Sequence, residues 1–251
     1  MNASGGPGAS GGAAIYIEAA SMTVTGTILV DGSTASAVSF GSNATNPGGG
    51  GGGGGGTILL RVTGGLALAD GSKLSSNGHA GGNVNNFFAQ PANAPGGGGG
   101  GGGGRIKLFY REPAFGVVAL STAAGLAGSK DSGFGNFVDP STPPAAGAVG
   151  SVSFGVVASS PTLFAASLVH PSSISWTWSA APSFGDAPAA SQLYRVFPST
   201  VSAPFPAPQA TATSLAAGVT EQNLTPNTTY TRFVTAFTDW GDSAPSTPVS
   251  T

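Results

Sequence analysis

Residues 96–110 read Gly96-Gly97-Gly98-Gly99-Gly100-Gly101-Gly102-Gly103-Gly104-Arg105-Ile106-Lys107-Leu108-Phe109-Tyr110. Nine glycines, introduced by Pro95, run straight into a segment in which Ile106 and Leu108 alternate with Arg105 and Lys107, the period of a strand with one buried face. The same phrase stands 48 residues earlier, where Pro47 introduces glycines 48–56 and Thr57-Ile58-Leu59-Leu60 follows. Outward from this pair, Ile15-Tyr16-Ile17 precedes it and Val152-Ser153-Phe154 follows, so the alternating segments begin 43, 48 and 46 residues apart. Self-similarity at a fixed period of this size marks stacked repeats.

Each of the first three units holds a second motif: Met22-Thr23-Val24-Thr25-Gly26-Thr27-Ile28, Leu66-Ala67-Leu68-Ala69-Asp70-Gly71-Ser72 and Phe115-Gly116-Val117-Val118-Ala119-Leu120. These lead to Asp31-Gly32, Asn77-Gly78 and Ala124-Gly125, the first two of which read as turns because Asx and Gly tolerate positive φ. A unit therefore reads as strand, turn, strand, turn and a glycine-rich excursion. The glycine runs allow two readings, a flexible spacer or an ordered extended segment. In polyproline II form nine residues span about 28 Å at about 3.1 Å per residue, with every N–H and C=O in need of a partner. Neighbouring glycine runs, which approach closely for want of side chains, are the natural partners.

Composition agrees with an all-β chain. There are 43 glycines and 19 prolines in 251 residues, which leaves no room for long helices. Hydrophobic residues make up 40% and mean hydropathy is +0.18, enough for a core. Only 7% of residues are charged, with 8 basic against 10 acidic, so no cationic surface exists to hold nucleic acid. The absence of cysteine removes disulfides, thiolate metal sites and thiol nucleophiles, and His79 and His170 lie far apart. No stretch is apolar enough to span a bilayer. The N-terminus shows neither a basic nor an apolar leader segment, so any secretion signal is expected to have been removed or to lie outside this sequence, and the chain reads as a fragment.

The segments Gly-Gly-Thr57-Ile58-Leu59-Leu60 and Gly-Gly-Arg105-Ile106-Lys107-Leu108-Phe109-Tyr110 resemble the glycine-rich repeats of large bacterial surface proteins, over about residues 11–157. The resemblance implies a parallel β-helix-like solenoid and an extracellular or cell-surface location. Its coils would bury a stripe formed by Ile15, Ile17, Ile58, Leu60, Ile106 and Leu108.

After Val157 the polyglycine stops, proline, serine and threonine rise, and all three tryptophans occur, which divides the chain into residues 1–158 and 159–251. Ser173-Ile174-Ser175-Trp176-Thr177-Trp178 and Leu193-Tyr194-Arg195-Val196-Phe197 alternate cleanly. Leu224-Thr225-Pro226-Asn227-Thr228-Thr229-Tyr230-Thr231-Arg232-Phe233-Val234 is similar to the fibronectin type III pattern of leucine, turn, tyrosine and strand. That resemblance implies a seven-stranded sandwich with Tyr230 at the tyrosine corner, Leu224 beneath it, and Trp178 and Tyr194 in the core. Arg232 departs from the pattern, being expected either to stack on Trp176 or Trp178 or to reach solvent.

Chemistry is sparse. The glycine runs end in Thr57 and Arg105, without the lysine of a nucleotide-binding loop. Glu18, Asp31, Asp70, Glu112, Asp131 and Asp139 are the acids of the repeat region, and Arg61, Lys73, Arg105, Lys107, Arg111 and Lys130 its bases. Asp31 and Asp70 read as turn caps on their own backbone, Arg105, Lys107 and Arg111 as a solvated strand face, and the single Asx per turn as too little for calcium. Four sequons begin at Asn2, Asn43, Asn223 and Asn227. The expectation is a non-enzymatic, cofactor-free and metal-free structural protein that forms a homo-polymer, head to tail or laterally. Candidate contacts are Ile15, Gly48, Gly56, Gly96, Gly104, Phe87, Phe88 and Trp240. The second expectation is an adhesin or carbohydrate-binding module for surface glycans, the third a polysaccharide lyase or hydrolase.

Overall fold

The computed structural model describes residues 6–40, 48–86, 96–132, 145–181, 183–185, 189–199, 207–213, 217–239 and 241–251. The alternating segments form β1 (Ala14–Ala19), β5 (Thr57–Val62), β9 (Arg105–Tyr110) and β13 (Ser151–Val156), which pair in parallel in that order. Ala14 stands opposite Thr57, Thr57 opposite Arg105 and Arg105 opposite Ser151, so the repeat lengths seen in the sequence are the strand register itself.

Three further parallel sheets each take one strand from each of the first three units. They are β2 (Met22–Val24), β6 (Gly65–Leu68) and β10 (Glu112–Phe115); β3 (Thr27–Leu29), β7 (Lys73–Ser75) and β11 (Ala119–Ser121); and β4 (Val38–Phe40), β8 (Val84–Asn86) and β12 (Lys130–Ser132). The middle unit is covered on both sides, and Ile58, Leu60, Val62, Leu66, Leu68 and Leu74 are fully buried there with Ile106 and Leu108. Ile15 and Ile17, on the outermost strand, complete this cluster while only half-buried.

The glycine runs are hydrogen-bonded, not free. Within an outer layer the N–H groups of Gly49, Gly52 and Gly55 donate to the carbonyls of Gly96, Gly99 and Gly102 at 3.0, 2.8 and 2.8 Å. Bonds recurring at every third residue are the signature of a three-residue turn such as polyproline II. Segments around Ser33, His79 and Gly125 form an inner layer running the opposite way. One of several files of bonds that cross between the layers runs from Ser33 to Ser10, Gly53 to Ser33, His79 to Gly53, Gly101 to His79, Gly125 to Gly101 and Gly147 to Gly125, all at 2.8–3.0 Å. Glycine is needed where the layers meet. A methyl group on Gly53 would overlap the Ser10 carbonyl, and one on Gly101 the Gly53 carbonyl.

Asp31-Gly32 and Asn77-Gly78, expected as turns, lie in this inner layer, and neither glycine has positive φ. The turn falls at Asp70-Gly71, where Gly71 has φ 78°. The Asx side chains cap the next unit instead of their own backbone. Asp31 Oδ1 accepts from Asn77 N–H and Ser75 Oγ, both at 2.6 Å; Asn77 Oδ1 accepts from Ala123 N–H and Ser121 Oγ, both at 2.7 Å; and Asp70 Oδ1 accepts from Val117 N–H at 2.8 Å.

From Thr162 onward the chain forms two antiparallel sheets. One is β14 (Thr162–His170), β15 (Ser173–Ser179) and β18 (Gly218–Gln222). The other orders β17 (Ala210–Thr213), β16 (Leu193–Pro198), β19 (Thr231–Thr238) and β20 (Gly241–Asp242), with β21 (Val249–Ser250) also on β19. This is a fibronectin type III-like sandwich, its last strand split in two. Trp176, Trp178, Tyr194, Val196, Val234 and Ala236 are buried between the sheets, with Leu224 and Tyr230 half-buried against them. Tyr230 Oη accepts the Thr225 N–H at 2.8 Å, the bond of a tyrosine corner.

Arg232 takes neither expected course. It is buried, its Nη2 lies 2.7 Å from Glu221 Oε1, and Glu221 Oε2 also accepts from Arg232 Nε at 3.1 Å and Trp176 Nε1 at 3.0 Å. Its guanidinium is stacked at 5.1 Å over Tyr230. A buried cation needs a paired, hydrogen-bonded anion, and the neighbouring sheet supplies one.

Candidate functional site

Where the parallel stack meets the sandwich, a cleft of about 600 Å³ is lined by Tyr16, Glu18, Ala19, Ala20, Arg61, Thr63 and residues 242–245. Strand alternation sends Tyr16 and Glu18 to the same outer face of β1, and the register sets Glu18 beside Arg61 of β5. Arg61 pairs with the Glu18 carboxylate and donates its other arm to the backbone carbonyl of Asp242 on the sandwich. It lies against Gly241, whose φ of 102° and missing side chain leave the guanidinium its space. Tyr16 Oη donates to Glu18 Oε2 at 2.6 Å, and the residue is 57% exposed, which leaves it accessible to a ligand. Burial pushes the phenol pKa of Tyr16 up, and the neighbouring Glu18 carboxylate pushes the same way.

Asp242 forms the other wall. Its Oδ1 accepts from Thr235 Oγ1 at 2.7 Å and its Oδ2 lies 3.4 Å from Arg195 Nη1. Burial raises its pKa above the ordinary aspartate value, against the opposing pull of Thr235, Arg195 and Arg61. The cleft thus combines an exposed aromatic ring, a carboxylate, a guanidinium and apolar alanine and proline walls, which suits a polar ligand with one flat apolar face. A smaller hollow of about 400 Å³, at Val169, His170, Ile174, Leu224 and Tyr230, lies elsewhere on the sandwich.

The sequence-predicted contacts are dispersed. Gly56 and Gly104 are tied into the layered lattice through bonds to Val30 and Ser76. The carbonyls of Gly48 and Gly96 accept from Gly6 and Gly49. Phe87, Phe88 and Trp240 lie outside the described residues, as does Asp139, and of Asp131 only the backbone is described. Sequence reading put Glu18 and Arg61 on separate lists of acids and bases and passed over Tyr16 and Asp242. The signal that joins Glu18 to Arg61 is their equal offset from the starts of two repeated strands. Among the described residues no three His, Asp or Glu side chains are grouped to hold a metal ion, and no helix is long and apolar enough to cross a membrane.

No family model matches the chain, and no curated protein matches it. Solved structures similar to it include domains A168-A170 from titin, at 21% identity and a TM-score of 0.33 over 44% of this chain and 37% of that one. The FN1-FN3 domains of chicken CNTN1 match at 21% identity and a TM-score of 0.30, over 43% of this chain and 34% of theirs. An FN3 domain of human collagen XX matches at 24% identity and a TM-score of 0.27, over 36% of this chain and 86% of that domain. The chain thus spans about a third of the length of the two multidomain structures.

Proposed function

We propose that this chain is a non-enzymatic structural subunit of an extracellular or cell-surface assembly, a self-assembling piece of a fibre, sheath or filament. In this reading the parallel stack is a β-solenoid and the fibronectin type III sandwich is its spacer. The observation that carries the reading is the ordered glycine lattice, whose units are joined by backbone bonds between runs that lack side chains, a mode of contact that another copy of the chain can also use. The low charge opposes such association weakly.

The far end of the stack is not built to receive another coil in the same way. Val149 stands where the third unit has Gly103, a position at which a methyl group would overlap the inner-layer carbonyl of Thr122, and it is 76% exposed. Ala123 replaces the Asx of Asp31 and Asn77, so the side-chain ladder stops there. Both features favour lateral assembly over simple continuation of the stack. Electron microscopy of the chain across a concentration series tests the reading: regular assemblies are expected, and monodisperse particles at every concentration would overturn it.

The cleft supports a second reading, an adhesin for surface glycans, because the exposed Tyr16 ring beside Glu18 and Arg61 has the aromatic-plus-polar character that sugars stack on. Glycan-array binding lost in Tyr16→Ala would favour it, and no binding to any glycan would end it.

A further inference from the structure

The fold explains two of every three glycines in the runs and leaves the third without an internal reason. At Gly50, Gly53 and Gly56, and at Gly49, Gly52 and Gly55, an added methyl group would overlap backbone of the neighbouring segments. At Gly48, Gly51, Gly54, Gly96, Gly99 and Gly102 it would meet nothing closer than 3.5 Å. None of these six has the positive φ that excludes other residues. The fourth run carries Ala145 and Ala148 at the places of Gly99 and Gly102. The inner layer makes the same point on the opposite surface of the slab, where the equivalent outward places are filled by Asp31, Thr34 and Ala37, by Asn77, Ala80 and Asn83, and by Ala123, Leu126 and Ser129. Outward positions in this lattice accept side chains, yet across the two nine-glycine runs the outer face has none. Each such glycine gives up about 0.5–1 kcal/mol relative to alanine in an ordered segment.

That bare face also presents backbone groups. A trans peptide points its C=O and N–H in opposite directions. Gly50 and Gly53 accept bonds from the inner layer, through Gly82 N–H and His79 N–H, so the N–H groups of Gly51 and Gly54 point away from it. Gly53 and Gly56 donate to the inner layer, so the carbonyls of Gly52 and Gly55 point away as well. The same holds at Gly99 and Gly102, and the four N–H groups have no partner among the described residues. Donors and acceptors therefore alternate along the face with the spacing by which the inner surface of the same runs binds an antiparallel layer.

We propose that this outward glycine face is the contact surface for a second copy of the chain, the two faces meeting antiparallel about a two-fold axis. The pairing of outer and inner layers is the template, since a two-fold axis turns each run against its counterpart in the direction that the inner layer already takes. Glycine at Gly51, Gly54, Gly99 and Gly102 is then required for the reason that it is required at Gly53 and Gly101, the close approach of another backbone.

The inference rests on the assembly reading, and sedimentation velocity with thermal melting separates the two. The chain itself, the outward pair Gly51→Ala/Gly99→Ala and the opposite-face pair Thr34→Glu/Leu126→Glu are compared over a concentration series. The expected result is self-association of the chain and of the opposite-face pair, and association weakened by about tenfold or more in the outward pair, whose monomer melts no lower than that of the chain. Association retained by the outward pair would overturn the face but leave assembly standing. A chain monomeric at every concentration would overturn both, and a lowered melting point in a monomeric outward pair would place the close partner inside the chain itself.

Discussion

The Asp31 carboxylate accepts the backbone N–H of Asn77 at 2.6 Å, and Asn77 stands at the same place one unit later. Asn77 repeats the gesture toward Ala123, so the stack is clamped by side chains that reach forward by one repeat. Asp31→Ala leaves the Asn77 N–H and the Ser75 hydroxyl without this acceptor and is expected to lower stability by about 1–3 kcal/mol. Asp31→Asn, which copies Asn77, is expected to retain most of it. Urea unfolding of the two variants checks the difference.

Two glycines of one run are expected to respond oppositely to alanine. Gly53→Ala forces a methyl group against the Ser10 carbonyl and is expected to destabilise by about 1–3 kcal/mol. Gly51→Ala meets only the Gly99 carbonyl, at an ordinary contact distance of 3.9 Å, and reduces the freedom of the unfolded chain, so the dilute monomer is expected to gain about 0.4–1 kcal/mol. Equal effects of the two changes on melting in dilute solution would contradict the layered lattice.

Glu221 holds both Arg232 and the Trp176 indole N–H inside the sandwich. Glu221→Ala strands a buried guanidinium and is expected to lower stability by about 3–5 kcal/mol. Replacing both partners, Glu221→Leu with Arg232→Met, is expected to lower it by much less, and a double-mutant cycle measures the coupling.

Asp242 gives the sandwich a definite pH signature. Its folded-state pKa is raised above the ordinary aspartate value of 3.8, chiefly by burial, so the folded state holds this proton more tightly than the unfolded state. Its stabilising contribution is complete below the unfolded value and is lost as pH rises through the folded one. Asp242→Asn is therefore expected to reduce the fall in stability with rising pH in the window just above 3.8, as measured by urea unfolding at a series of pH values.

The order of the stack was legible because Ile15, Ile58, Ile106 and Val152 follow glycine at nearly equal spacing, and the register preserves that spacing. The Asx-Gly pairs misled because local preference favours a turn, whereas the bonds that straighten these segments come from a unit about 46 residues away. The Arg232 pair was hidden for a related reason, since Glu221 lies on β18 in the facing sheet and no periodicity links the two. The cleft was half visible. Glu18 and Arg61 share a register, but Asp242 joins them only through docking of the sandwich, which no local pattern encodes.

Amide hydrogen exchange along residues 48–56 and 96–104 tests the central claim most directly, because a bonded lattice and a flexible spacer differ most there. The account predicts a period of three, with Gly49, Gly52, Gly53, Gly55 and Gly56 protected and Gly51 and Gly54 exchanging fast in the dilute monomer, and the same alternation through Gly98, Gly101 and Gly104 against Gly99 and Gly102. Uniformly fast exchange across both runs would contradict it.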